Sequence, residues 1–230
     1  MLNFSGRHYP PEIILQCVRW YVSYGISYRN LEEMMSERGI EMDHATLNRW
    51  VLKYAPEIEK KSRRYKRSVH GSWRMDETYI KVKGVWKYLY RAVDKFGKTV
   101  DFLLTAKRDK AAALRFFRKA LKGHEHPHRV VIDGSAANKA ALYQLNEPDN
   151  SDSKTPVDIL QVKYLNNIVE QDHRHIKRIT NPMAGFKKFH TAARTIAGIE
   201  LMNMIRKKQF TIPNQNSLTS AQQFYYIATV

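Results

Sequence analysis

The chain has 230 residues, with 39 Lys and Arg against 22 Asp and Glu, a formal net charge of +17 and a pI near 9.9. At 43% hydrophobic it can bury a sizeable core, which argues against wholesale disorder, and its length fits one large domain or a catalytic domain with a small accessory one. The charge excess favours a polyanionic partner, nucleic acid before an anionic membrane, because no basic amphipathic helix carries a lipid-facing aromatic face.

The one cysteine, Cys17, allows no internal disulfide and sits in an apolar helical pattern as a small core residue. No signal-peptide core opens the chain and no apolar run approaches a membrane span, so a soluble intracellular protein is expected.

Residues 11–55 read as three helices. The first carries Ile13, Cys17, Trp20, Tyr21 and Tyr24 at helical spacing and ends at Gly25. The second starts at Ser27 as N-cap, carries Tyr28, Leu31, Met34 and Met35, and ends at Gly39. The third starts at Asp43, carries Leu47, Trp50, Val51 and Tyr54, and is expected to close at Pro56. This arrangement suits a helix-turn-helix over residues 1–56, or a plain three-helix bundle with a solvated face. In the first reading His44, Thr46, Asn48, Arg49 and Lys53 form the face toward DNA.

Residues 57–72 read as a basic connector. Six of the eight residues from Lys60 to Arg67 are Lys or Arg, and Lys60, Lys61, Arg63 and Arg64 are expected to meet phosphates. A catalytic domain is expected over residues 73–210 and a tail over 211–230.

WRMDETYIKVKG, WKYLYRAVDKFG and KTVDFLLTAK are three runs rich in aromatic and β-branched residues, with turns at Gly84 and at residues 95–98. Residues 109–122 are an amphipathic helix, HRVVID a buried strand, GSAANKAALYQL a helix, DILQVKYL a strand, NNIVEQDHRHIKRI a helix, and residues 190–208 a last helix. That order predicts an α/β, ribonuclease-H-like core: an antiparallel three-strand meander extended by parallel strands.

Three carboxylates stand where such a fold gathers them. Asp76 shares a strand face with Arg74, Thr78, Ile80 and Val82, and Glu77 faces the other way. A carboxylate inside an apolar strand is costly unless paired or metal-bound. Asp133 closes the VVID strand, where ligand sites of α/β sheets lie. Glu170 sits on the first turn of a later helix. Carboxylates so placed suit two divalent ions roughly 3.5–4 Å apart, clamping the attacking and leaving oxygens of a phosphoryl displacement without a covalent enzyme intermediate.

The segments WRMDETYIKVKGVWKYLYRAVDKFGKTVDF, VVIDGSAANKAAL and YLNNIVEQDHRHIKR resemble the DDE transposases of bacterial insertion sequences, specifically the insertion-sequence-six family. GRHY, SYRNLEEMMSERGI, NRWVLKYAPEIEK and GFKKFHTAARTIAGIE resemble it too, so the likeness covers nearly the whole chain. The resemblance implies a helix-turn-helix that binds terminal inverted repeats, strand cleavage and transfer giving transposition and cointegrates, and magnesium dependence with manganese as a substitute. Its partners would be double-stranded DNA, as terminal repeats and as target. A homodimer is expected because two ends act together, in a cytoplasmic, nucleoid-associated setting. The resemblance carries the catalytic, metal-holding triad to Asp76, Asp133 and Glu170, and a DNA contact to Lys177. The second and third acids stand 37 positions apart (170 − 133), slightly more than is usual in the family, and the extra length is assigned to the polar loop 147–158.

Glu170 and Asp172 compete for the catalytic place, since on a helix they lie about 200° apart. Periodicity puts Asp172 in the apolar stripe of Ile168, Val169, Ile176 and Ile179. The resemblance, and the face shared with Lys177, favour Glu170; Asp172 is then a buried structural acid. The histidines of GHEHPH lack a Cys partner and read as a loop, and Asp94 and Asp101 as turn and strand-face acids. Two other functions stay open on the residues alone. A DNA-binding regulator leaves the three acids unexplained, and a nuclease of the same fold would cut without joining.

Overall fold

The computed structural model describes residues 2–6, 8–147, 155–213 and 217–230. In chain order the elements are α1 Pro11–Ser23, α2 Tyr28–Ser36, α3 His44–Ser62, β1 Ser72–Val82, β2 Val85–Asp94, β3 Thr99–Thr105, α4 Lys110–Lys122, β4 Arg129–Ile132, α5 Ala136–Asn146, β5 Asp158–Gln161, α6 Asn167–Thr180, α7 Phe189–Arg206 and α8 Ser220–Thr229. They form two compact units, a helical one from Met1–Arg67 and His175–Val230 and an α/β one from Ser68–Arg174, with the division falling inside α6. Among the described residues no helix is long and apolar enough to cross a membrane.

In the helical unit the expected N-caps are present. The Ser27 hydroxyl accepts from the Asn30 amide while Asn30 Oδ1 accepts from the Ser27 amide, and Asp43 accepts from the Thr46 amide. Gly39 takes a left-handed φ of 71° after α2, as a C-terminal cap requires. Leu31, Met35, Leu47, Trp50, Val51 and Tyr54 are buried together with Cys17, whose thiol burial pushes up to about 12, so it is an inert core residue.

Three expectations about boundaries change. α3 does not close at Pro56 but runs to Ser62 with the proline inside it. The buried stripe carries on through Ala55, Ile58 and Ser62, and its packing outweighs the backbone hydrogen bond that proline cannot make. Residues 57–72 are therefore no loose linker. Lys60 and Lys61 lie in the last turn of α3, and the Tyr65–Arg67 segment is fastened to residues 209–211, the Arg67 amide donating to Gln209 at 2.9 Å and the Thr211 amide to Tyr65 at 2.7 Å. The stretch 211–230 is not only a tail, since it holds α8, capped by Thr219.

The physical reason that residues 1–56 are not a unit by themselves is α7, which is buried continuously from Thr195 to Ile205 and lies against α1 and α3. The approach is close at Gly198, where an added Cβ would meet Val22 Cγ1 at 2.7 Å and Ala55 Cβ at 2.8 Å.

The α/β unit holds a five-stranded sheet in the order β3-β2-β1-β4-β5. β1, β2 and β3 are an antiparallel meander, and β4 and β5 add in parallel to β1. This is the expected ribonuclease-H-like arrangement. The fifth strand is shorter than DILQVKYL suggests, because residues 163–166 coil into a 3₁₀ turn whose Asn166 amide donates to the Met75 carbonyl at 3.1 Å. The polar loop assigned the family's extra length lies mostly outside the described residues.

The two faces of the sheet differ. On one, Trp73, Met75, Tyr90 and Ala92 pack against Phe116 and Phe117 of α4 and Ala141 and Leu142 of α5. On the other, Asp76 stands directly across from Arg91 of β2. Arg91 is wholly buried, and its Nη2 lies 2.6 Å from Asp172 Oδ2 of α6. Asp172 is thus the inward acid of α6, while Glu170 is exposed and Val169, Ile176 and Ile179 form the buried stripe, with Ile168 at its margin. A buried guanidinium requires a counter-charge, so this pair fixes which side of α6 meets the sheet.

Two stability outcomes follow. Gly198→Ala, which on propensity alone gains up to about 1 kcal/mol in a helix interior, is expected to lose about 1–3 kcal/mol through overpacking against Val22 and Ala55; urea unfolding reads the sign. Asp172→Asn removes the ion pair of the buried Arg91 and is expected to cost about 3 kcal/mol, seen as a lowered melting temperature, whereas Glu170→Gln leaves it nearly unchanged.

Candidate active site

Parallel pairing of β1 with β4 matches Arg74 to Val131, so two residues further along Asp76 and Asp133 come level on adjacent strands. Asp76 lies inside β1, whereas Asp133 follows the last residue of β4. Freed from the pleat, Asp133 can lean toward either face of the sheet. Carboxylate oxygens of Asp76, Glu77 and Asp133 lie within 4.8 Å of one another.

Glu77 is the member that strand alternation assigned to the opposite face. It does lie on the other face from Asp76, but at the open end of the sheet Asp133 bridges the two. Its side chain is only 3% exposed and is held by Arg108, whose Nη2 is 3.1 Å from Glu77 Oε2 and 3.2 Å from Asp133 Oδ2. Arg108 was not singled out by the sequence. The available signal was its place just before Asp109, the N-cap of α4, which brings it to the sheet edge where β3 ends.

The electrostatics are those of acids short of positive charge. Burial, followed by repulsion from Glu77, Asp133 and Glu170, raises the Asp76 carboxyl to about 7 against the pull of a backbone hydrogen bond. Burial also raises Glu77, with Arg108 acting against it. His173 Nδ1 lies 3.7 Å from Asp76 Oδ2. Glu170 stands outside the tight group of three, yet its charge is felt at Asp76. Hard oxygen donors in this number and crowding fit a divalent cation. Among the described residues no other such group occurs, so the histidines of 124–128 gather no metal-like set; His124 Nε2 instead meets the Val100 carbonyl at 2.9 Å. Asp94 accepts from the amides of Phe96 and Lys98 in the β2–β3 turn, and Asp101 pairs with Lys119 at 2.6 Å. Beside Asp133 an open cleft of about 370 Å³ is lined by Arg108, Gly134, Ser135, Ala136 and Ala137, where α5 begins.

The residues expected to meet DNA fall on the helical unit. His44, Arg49, Lys60, Arg64 and Lys177 are exposed, and Thr46 and Asn48 partly so. Several already have partners there. His44 Nδ1 lies 3.4 Å from Glu32, Arg49 donates to Thr46 Oγ1 at 2.6 Å, Lys53 to the Asn3 carbonyl at 3.0 Å and Lys61 to the Ala228 carbonyl at 3.0 Å, while Arg63 pairs with Glu59 at 2.8 Å.

Among known proteins, the family model described as a DDE domain matches residues 70–209. The transposase for the insertion sequence-like element IS431mec of Staphylococcus aureus is 36% identical over 209 residues, which is 90% of this chain and 90% of that protein. The transposase for insertion sequence element IS257 in transposon Tn4003, also of Staphylococcus aureus, is again 36% identical over 90% of each chain. Among solved structures, the HTLV-2 integrase catalytic core domain in complex with magnesium is 17% identical with a TM-score of 0.43, over 68% of this chain and 98% of that one. The catalytic core domain of BIV integrase is 14% identical with a TM-score of 0.42, over 68% and 94%. With a DDE domain matched over more than half its length and relatives 36% identical over 90% of each chain, the chain belongs to the DDE transposases of bacterial insertion sequences.

Proposed function

We propose that this DNA transposase binds the terminal inverted repeats of its insertion sequence and cuts and joins strands at the carboxylate group around Asp76. The observation that supports this most is the gathering of Asp76 and Asp133 at one sheet edge, with the Glu170 charge acting on Asp76. Asp76, Asp133 and Glu170 are assigned as ligands of two magnesium ions, with manganese able to replace them. When bound, such ions supply Lewis acidity to the attacking and leaving oxygens of an in-line displacement. The protein's part is to hold the donors in place. Arg91 and Asp172 fix α6 and with it Glu170, and Glu77 keeps Arg108 beside Asp133, one-third exposed and able to face a phosphate. No side chain needs to bond covalently to the DNA.

Recognition is assigned to the helix-turn-helix of α2 and α3, with His44, Thr46, Asn48 and Arg49 toward base edges. Lys53, Lys60, Lys61, Arg63, Arg64 and Lys177 are assigned to phosphates, of which Lys60, Arg63, Arg64 and Lys177 are exposed. Target DNA is the second nucleic-acid partner, and a homodimer would bring two ends together. A regulator with the same helices would have no use for buried acids this close, and a nuclease would use them to cut but not to join.

The deciding experiment incubates the protein with magnesium, labelled terminal repeats and a plasmid target. Asp76→Asn, Asp133→Asn and Glu170→Gln are each expected to abolish joined product while repeat binding persists; joining at the wild-type rate by any of them overturns its assignment. Because the Asp76 carboxyl titrates near 7, a proton competes with the metal below that pH. Manganese affinity, read by calorimetry, should therefore be weaker at about pH 6 than at about pH 8, with the difference lost in Asp76→Asn.

Arg49→Ala is expected to weaken repeat binding by about 1–3 kcal/mol and relax sequence preference, if its contact is bidentate to a base. Replacing Lys60 and Arg64 with Ala should weaken binding to all sequences alike. The slope of log affinity on log salt should then flatten by about 0.9 for each phosphate that is no longer neutralised; an unchanged slope would show that these two side chains only face solvent.

A further inference from the structure

The β1–β2 ribbon reaches past every other strand of the sheet. β4 pairs with β1 only over Ser72–Arg74, and β3 pairs with β2 no further than Tyr88. Residues 79–87 thus form a two-stranded ribbon without further strand neighbours, its base at Tyr88 still paired to β3. It begins three residues past Asp76 and ends at Val82, six residues past it, about 20 Å at strand spacing.

The ribbon is one-sided. Ile80 and Val82, on the face of Asp76, are 2% and 4% exposed. On the other face Tyr79 pairs across with Tyr88, and Lys81 with Trp86. Tyr79 and Trp86 are 49% and 55% exposed, with ring centroids 6.2 Å apart edge to face, and the Tyr79 and Tyr88 rings are 5.6 Å apart. The Lys81 ammonium lies 5.9 Å from the Trp86 ring. The two-residue turn places Lys83 at a φ of 50°, a left-handed conformation uncommon for lysine, beside Gly84 at 76°. Residues 78–88 contain Lys81, Lys83 and Lys87 and no acid.

Exposed rings interleaved with cations, and no anion among them, suit a ligand that has both π faces and negative charge. A second copy of this strongly basic chain would bring more positive charge to the same place. A paired duplex keeps its base faces stacked and out of reach. Unpaired DNA offers both, and base stacking on aromatic side chains is the usual way that single strands are held.

We propose that the Tyr79–Trp86 face of this ribbon is a stacking platform for unpaired DNA bases, with Lys81 on that face and Lys83 at the turn meeting the strand's phosphates. Its place beside the reaction rests on the carboxylate assignment above; the stacking itself does not. The strand held there would be the one freed next to the cut.

The test is done without metal, so that it is independent of cutting and joining. Affinities are measured by fluorescence anisotropy for a labelled duplex carrying about ten unpaired thymines and for the same duplex with blunt ends. The wild-type protein is expected to favour the extended duplex. Tyr79→Ala with Trp86→Ala should lose roughly tenfold in affinity for it and leave blunt-duplex affinity unchanged, while Trp86→Phe retains binding. Both residues are exposed, and a melting curve checks that the variants fold. Equal wild-type affinity for the two duplexes, an equal loss on both, or Trp86→Phe behaving as Trp86→Ala would overturn the proposal. So would sedimentation showing that the double substitution dissociates a dimer while extended-duplex affinity stays intact, which would make the face a contact between copies. Should Asp76→Asn still join DNA while the extended-duplex preference holds, the carboxylate assignment falls and the platform stands.

Discussion

Carboxylates held within 4.8 Å of one another repel by roughly 3–4 kcal/mol per pair at the effective dielectric of a protein edge, and the sheet unit is organised around that repulsion. Arg108 offsets it for Glu77 and Asp133. His173 approaches Asp76 from α6. Arg91, the cation directly across from Asp76, pairs with Asp172 of α6 at 2.6 Å. Asp76 is left with burial and three acidic neighbours, which is why its proton is held to near neutrality. A cation brought to that point replaces a proton and relieves several repulsions at once. A group of acids this crowded is suited to the metal site proposed above.

The register of the sheet makes this crowding possible. A parallel neighbour brings Asp133 level with Asp76, and an antiparallel neighbour brings Arg91 there from the other side. Shifting the β1–β2 pairing by one residue would turn Arg91 to the opposite face, and shifting β4 along β1 would move Asp133 away from the level of Asp76. The apolar run of β4 ends at Ile132, so the acid that follows begins where pairing stops. α5 opens three residues later, and Ser135 donates its amide back to Asp133 at 3.0 Å. Backbone and side chain therefore aim Asp133 without any need for a long loop.

Local signals in the sequence were enough for most of this. The strand runs, the caps at Ser27 and Asp43, and the acids at a strand interior, a strand end and a helix start all depend on near neighbours in the chain. The expectations that changed depend on distant ones. Pro56 breaks a helix in isolation, but Ile58 and Ser62 are buried and hold α3 together beyond it. Glu77 is on the wrong face by alternation, a rule that binds only within the paired sheet and lapses where Asp133 bridges the edge. Arg91 as the partner of Asp172 joins residues 81 positions apart, and no periodicity reports such a pair. The apolar stripe on α6 did report that Asp172 points inward, and it left Glu170 on the exposed side.

The helical unit carries a further consequence of distance along the chain. A helix can offer one face to DNA only if its opposite face is fixed. On α3 that opposite face is Leu47, Trp50, Val51, Tyr54 and Ile58, all buried, and the element lying along it is α7, more than 120 residues later in the chain. Gly198 permits the close approach by having no side chain where Val22 and Ala55 converge. The C-terminal segment thereby supports the N-terminal one as core, and Lys61 adds a bond to the last turn of α8. Without residues 175–230 the buried stripe of α3 would face water, at a cost of about 1.5–3 kcal/mol for each large apolar side chain exposed. The surface assigned to reading DNA is thus supported by residues 175–230 as well as its own neighbours, although every residue proposed to do the reading on α3 lies within the first 53.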